Sequence, residues 1–270
     1  MNKLFLTFIL SLASIQSFAF VQAPPKPLAA CSAMAPYGFP SAGKGTTSFC
    51  RTGYATEYDS AAKIPQWGVY TLTPAQTEGC VPRSNAFAAD ASIANGATPQ
   101  DYNGTGYDKG HNIPDGDQSY TTQTEYESFL MTNMTPQLPG LNRGIWKLLE
   151  SSVRAWAMER NHNITVYAGP IYDIKTDKTI GKGVVVPHAY FKIVIDQSTN
   201  EVLAYVFPQQ GDLGNDLTKF QVTVAQAETQ SGLTFPVPQG TDKTKKATQW
   251  AVDYGKFTAD KKSKCGKADD

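Results

Sequence analysis

Tyr107-Asp108-Lys109-Gly110-His111-Asn112, Thr132-Asn133-Met134-Thr135-Pro136-Gln137 and Leu141-Asn142-Arg143-Gly144-Ile145-Trp146 are the three stretches on which the reading of this chain turns. In the first, a histidine follows a tight glycine turn and precedes Pro114-Asp115-Gly116-Asp117. That is the pattern of a strand running into an ordered loop whose side chains are aimed by the scaffold. In the third, an asparagine stands at the head of a helix. An imidazole of ordinary pKa, about 6.5, is mostly neutral at neutral pH and can take a proton from water. A neutral amide oxygen can hold a cation without diminishing its charge, and Mg2+ tolerates a single protein ligand with water completing its shell. A general base and a cation held by an amide are what hydrolysis of an already anionic phosphodiester needs.

The helix expected over 142–160 carries Ile145, Leu148, Leu149, Ser152, Val153 and Trp156 on one arc, with Arg143, Lys147, Glu150 and Arg154 on the neighbouring face. Asn142 projects close to the apolar arc and therefore needs a partner. Two remain open: the helix's own first-turn amide, which would make Asn142 an N-cap, or a metal ion. Glu150 could accept hydrogen bonds from water on such an ion, steadied by Arg154 four residues on, and without the ion the pair reads as an ordinary surface ion pair. Strands are expected at 53–58, 67–72, 164–169, 183–186, 189–195 and 202–207 from alternating or β-branched and aromatic runs bounded by turn residues. A second helix is expected at 222–231. His162 and His188 read as structural or exposed, and Asp115 and Asp117 as turn residues, because their loop puts His111 and Thr122 where an EF-hand needs its first and twelfth ligands.

Met1-Asn2-Lys3, an apolar run to about Phe18 and the ending Ser17-Phe18-Ala19 have the layout of a signal peptide cut after Ala19, too short and badly flanked for a membrane anchor. This implies an exported chain, periplasmic or extracellular, with no membrane association after cleavage. The remaining chain is long enough for one domain with a substantial core. We expect an irregular, Pro-, Ala-, Gly- and Ser-rich arm at 20–48 and a domain at 49–270. Without Lys3, 23 basic side chains face 24 acidic ones, so bulk charge does not announce nucleic acid. Lys243, Lys245, Lys246, Lys256, Lys261, Lys262, Lys264 and Lys267 crowd the segment 241–270, either a solvated tail or a basic surface. Four cysteines in an exported chain point to disulfides. Of the three pairings, Cys31 with Cys50 and Cys80 with Cys265 is preferred, because it closes a short N-terminal loop and ties down the lysine-rich segment.

Asp108-Lys109-Gly110-His111, Thr132-Asn133-Met134-Thr135-Pro136-Gln137, Leu141-Asn142-Arg143-Gly144-Ile145-Trp146 and Leu149-Glu150 together resemble the DNA/RNA non-specific endonucleases, the ββα-metal or His-Me finger nucleases. The resemblance spans about residues 50 to 237, and Gly232-Leu233-Thr234-Phe235-Pro236 is similar to the family's C-terminal segment. It implies an α+β domain, a central antiparallel sheet flanked by helices with an embedded ββα-metal motif. It implies His111 as general base, Asn142 as ligand of Mg2+ (Mn2+ as the alternative) and Glu150 as supporting carboxylate. It further implies Arg83, in Arg83-Ser84-Asn85-Ala86-Phe87-Ala88-Ala89-Asp90, as the residue on the scissile phosphate, and Asn133 as a site-supporting asparagine. Lys109 stands where the family usually has Arg, keeping the charge and losing the planar fork. Lys109 and Arg154 join Arg83 as expected substrate contacts.

The resulting expectation is a metal-dependent endonuclease acting on DNA and RNA and leaving 5′-phosphate ends. Two rivals stand beside it: a nucleic-acid-binding protein on the same fold without catalysis, and a phosphodiesterase acting on small phosphoesters. The sequence leaves inhibitor partners and oligomeric state open.

Overall fold

The computed structural model describes residues 22–41 and 46–266, so the expected signal peptide at 1–19 lies outside the described residues. Seven strands form one antiparallel sheet in the order β1-β2-β3-β6-β9-β10-β11: β1 Thr46–Cys50, β2 Ala55–Asp59, β3 Ile64–Leu72, β6 Ile164–Ile171, β9 Ala189–Asp196, β10 Val202–Pro208 and β11 Gln221–Val222. Two small two-stranded sheets stand apart, β4 Asp108–His111 with β5 Met134–Gln137, and β7 Thr179–Ile180 with β8 Val184–Val185. The helices are α1 Pro74–Thr77, α2 Asp115–Gln118, α3 Thr122–Ser128, α4 Pro139–Leu141, α5 Lys147–Arg160, α6 Val224–Ser231 and α7 Tyr254–Cys265.

Alternation along the central strands sorts the core into two layers. Tyr70, Leu72, Val166, Val194, Leu203 and Tyr205 face Leu149, Val153 and Trp156 of α5. Trp67, Val69, Tyr167, Phe191, Ile193 and Ala204 face the other way, against Val224 and Ala227 of α6 and the short helix Leu28–Met34. Both faces are covered, which is why β6 and β9 are buried at every position. The expected α+β architecture with its antiparallel sheet is what the chain adopts. The 183–186 strand shrinks to the two residues of β8.

One expectation needs correction, and two alternatives left open by the sequence are narrowed. Gly110 is no turn residue: it lies within β4, opposite Thr135, and a Cβ there would overlap the Gln137 side chain. Asn142 is no N-cap. The helical path starts earlier, with Leu138 extended and Pro139 at the first helical position, where a missing N–H costs nothing. Asn142–Trp146 then forms one π-helical turn, with Gly144 leaving helical geometry, before α5 begins. Third, the lysine-rich segment is no loose tail as far as it is described, because 254–265 is helical; Lys267 lies outside the described residues. Phe257 and Lys261 are buried, and the Lys261 ammonium donates to the carbonyl oxygens of Thr77 (2.9 Å) and Gly79. Lys243 pairs with Glu228 and Lys256 with Asp260. The cysteines pair as preferred, Cys31–Cys50 (Cα–Cα 6.4 Å) and Cys80–Cys265 (5.2 Å), leaving no free cysteine among the described residues. No helix among the described residues is long and apolar enough to cross a membrane.

Candidate active site

β4 and the turn leading into α5 form one wall of a cavity of about 520 Å3, lined by His111, Asn142 and Glu150 together with Arg83, Lys109 and Asp115. His111 ends β4 and is 7% exposed. Its ring meets Phe129 edge-on at 4.8 Å and lies 5.8 Å from Phe87, while its carbonyl accepts from the Trp146 indole at 3.3 Å. Nε2 has no hydrogen-bond partner among the described residues. Burial pushes the imidazole pKa down to about 4, with the Asp115 carboxylate opposing and the Arg83 guanidinium adding to the depression. The ordinary value assumed from sequence is therefore displaced. Neutral imidazole is the form present at neutral pH.

Asn133 lies beneath this wall and is 1% exposed. Its amide oxygen accepts from the Ile113 N–H at 2.9 Å, and its nitrogen donates to the carbonyls of Ile113 and Ser128, each at 2.8 Å. It fixes the backbone just after His111 and does not line the cavity.

Asn142 donates its amide nitrogen to Asp108 Oδ2 at 3.0 Å. The same carboxylate takes two hydrogen bonds from Arg143, at 2.8 and 2.6 Å. Burial alone would raise the Asp108 pKa, but the bonds from Arg143 and Asn142 outweigh it and hold the carboxylate below its ordinary range. With its nitrogen committed, Asn142 has its oxygen left as an acceptor at the cavity. Glu150, two helical turns on, is 12% exposed and approaches the buried Lys192 at 3.5 Å. Burial raises its carboxyl to about 7, against the pull of Lys192 and Arg154 and with Asp117 and Asp115 adding to the rise.

Arg83 pairs with Asp115, donates from Nε to Asn85 at 2.9 Å and stacks over Phe129 at 4.9 Å. Lys109 stands over the Phe87 ring at 5.0 Å. Arg154 departs from expectation: it is buried, bonded to Asp117 at 2.6 Å, and absent from the cavity lining. It underpins α2 and is not placed to touch a substrate. His162 and His188 are engaged away from the cavity, by Asp196 (2.8 Å) and Asp177 (2.9 Å).

The chain that brings His111, Asn142 and these cations into one cleft is similar to known proteins. The profile of the DNA/RNA non-specific endonucleases covers residues 31–242. The chain belongs to that family. A nuclease of Nostoc sp. is 30% identical over 196 residues, 67% of this chain and 70% of its own. The mouse mitochondrial nuclease EXOG is 29% identical over 219 residues, 74% of this chain, which spans only 59% of that relative. Among solved structures, the crystal structure of the EndoG/EndoGI complex superposes with a TM-score of 0.68 at 28% identity, covering 76% of this chain and 90% of that one.

Asp115, a turn residue by its sequence pattern, is bonded to Arg83 and lies close enough to His111 for each to influence the other's charge. Nothing in the spacing of Arg83 and Asp115 announces their pairing, which depends on the fold bringing α2 back to the 83–87 segment. Asp108 carries no signal of its own in the sequence beyond its place in the first motif, although Asn142 and Arg143 are both bonded to it. Among the described residues no three His, Cys, Asp or Glu side chains converge as a metal site. The donor set at Asn142 nevertheless fits a hard cation held by one protein oxygen and water.

Proposed function

We propose that the chain is an exported, metal-dependent endonuclease that hydrolyses DNA and RNA to 5′-phosphate ends. The observation that carries this reading is the buried His111 ring, whose Nε2 has no hydrogen-bond partner among the described residues, opening on the same cavity as Asn142. Nε2 takes a proton from water as the water oxygen bonds to phosphorus. The bond to the 3′ oxygen breaks, and that oxygen leaves protonated by solvent. A base with a pKa near 4 is weak, but an approaching phosphodiester adds negative charge beside the ring and raises it toward the working pH. Arg83 and Lys109 place positive charge where the phosphate must sit, and Arg83 already carries a carboxylate that a phosphate can replace. Asn142 Oδ1 would hold the cation, Mg2+ or Mn2+, which supplies Lewis-acid charge beside the phosphate when bound. Glu150 accepts hydrogen bonds from water in the cleft, and Asp108 orients the Asn142 amide. Contacts made to phosphate carry little base information, so both nucleic acids are substrates. The two disulfides support export.

The test is purified protein incubated with supercoiled plasmid and with RNA, each with Mg2+ or EDTA, beside His111→Ala. We expect metal-dependent cleavage of both substrates and a loss of about two to four orders of magnitude in the variant, the usual contribution of a positioned base. Nucleic-acid binding should stay intact. Full activity in His111→Ala would remove the mechanism.

A further inference from the structure

Lys192 has no task in the reaction above, yet it is fully buried, 0% exposed. Alternation along β9 sets it between Tyr190 and Val194, on the sheet face covered by α5. Its Nζ lies 3.5 Å from Glu150 Oε1 and 4.2 Å from the centre of the Trp146 ring. Neither Nζ nor Oε1 has a hydrogen bond among the described residues. Trp146 in turn donates to the His111 carbonyl, so Lys192 touches both Glu150 of the cavity lining and the residue bonded to His111.

As a filler of space this lysine is a poor choice. Taking an ammonium out of water is costly, and replacing a buried ion pair with apolar residues of similar volume often leaves stability equal or higher. What the ammonium offers and a methionine would not is charge. Glu150 faces Lys192 from β9, Arg154 from its own helix, Asp117 and Asp115 from α2, and the Tyr70 hydroxyl from β3. Arg154 is already bonded to Asp117. Burial drives Glu150 toward its neutral form, and Lys192 is the strongest influence against that. Arg83 is likewise bonded to Asp115, so without Lys192 both remaining cations would already be committed to aspartates and Glu150 would have none of its own.

We propose that Lys192 is a positioning residue that keeps Glu150 ionised and turned toward the cleft, where the carboxylate can accept hydrogen bonds from water. The inference rests on the reading of Glu150 given above. A neutral Glu150 has an O–H to donate and one fewer accepting site, so water in the cleft would be held in a different orientation.

Lys192→Met, Lys192→Arg, Glu150→Gln and the double variant Lys192→Met/Glu150→Gln are compared by the pH profile of kcat and by thermal unfolding. Lys192→Met should fold with equal or higher stability while the acidic limb of its profile moves up by about one pH unit or more. That shift is about a tenfold loss at pH values on the limb, recovered above it. Lys192→Arg should keep the wild-type limb. In the Glu150→Gln background, Lys192→Met should change the residual activity by less than about twofold. An unmoved limb in Lys192→Met, or an equal loss in both backgrounds at every pH, overturns the inference while leaving Glu150 in place. Full activity in Glu150→Gln overturns the assignment of Glu150 and the inference with it. Should Lys192→Met not fold, NMR of the wild-type protein decides. The 15N shift of Lys192 Nζ should move with the 13C titration of the Glu150 carboxyl, and a flat Lys192 shift across that titration overturns the inference.

Discussion

Replacing Glu150 by Gln and, separately, His111 by Gln removes two buried groups that couple folding to pH in opposite senses. His111 has a pKa near 4 in the fold against an ordinary 6.5. Between those values the unfolded chain binds a proton that the fold refuses. The stabilisation from neutral His111 is therefore complete above pH 6.5 and is lost as pH falls toward 4. Glu150 is raised from 4.5 to about 7, so the fold keeps a proton that the unfolded chain releases. Its contribution is complete below pH 4.5 and is lost as pH rises toward 7. Each displacement is roughly two and a half pH units at about 1.4 kcal/mol per unit, or about 3 kcal/mol. In the wild type the two slopes oppose one another from pH 4.5 to 6.5 and cancel there. Urea unfolding of the metal-free protein and both variants, in half-unit steps from pH 4 to 8, separates them. Relative to wild type, Glu150→Gln should gain about 3 kcal/mol as pH rises from 4.5 to 7, and His111→Gln should gain a similar amount as pH falls from 6.5 to 4. The cost of burying a glutamine amide does not vary with pH, so it offsets each difference curve without tilting it. Difference curves that stay level within about 0.5 kcal/mol would refute the burial argument for both residues.

Asn142→Asp would set one carboxylate against another at the 3.0 Å contact with Asp108; we expect roughly 1 to 3 kcal/mol less stability by thermal unfolding and at least a tenfold drop in cleavage, whereas a helix cap would accept the change silently. Reduction of the disulfides should lower stability by roughly 2 to 5 kcal/mol each, with Cys80–Cys265, across 185 residues, contributing more than Cys31–Cys50; unfolding of Cys80→Ala/Cys265→Ala measures it, and an unchanged midpoint would deny the tether. Lys109→Arg should preserve or raise cleavage, since Lys109 stands on the Phe87 ring at the cavity and is assigned only positive charge beside the phosphate; complete loss in a folded variant would show a chemical role for the amine.

Periodicity located the central strands and α5 because each buries a regular stripe against a single layer. It failed where contacts come from far along the chain. α7 shows only Phe257 and Lys261 buried, and what holds it is a disulfide and hydrogen bonds to 77–80, which no local pattern records. β1 is an edge strand after a Pro- and Gly-rich arm, with burial only at Phe49 and Cys50 among its described side chains. The start of the helical path was misplaced because Gly140 and Gly144 mask Pro139, the residue that sets it. At the site, the motif residues His111, Asn142 and Glu150 were legible through their order in sequence. Asp115 and Lys192 were not, because an aspartate in a turn and a lysine in a strand take on meaning only when the fold brings them beside Arg83 and Glu150.

The bond between Cys80 and Cys265 makes a covalent ring of nearly everything that matters to the cleft. Arg83, Lys109, His111, Asn142, Glu150 and Lys192 all lie inside it. A protease that cuts one exposed loop within the ring opens the backbone but releases no fragment, since both new ends remain attached through the sulfurs. The β-sheet and α5 can then hold the two pieces in register. Outside a cell, where proteases are plentiful and repair is not, a nicked molecule of this kind would be removed from service only by a second cut or by a reductant.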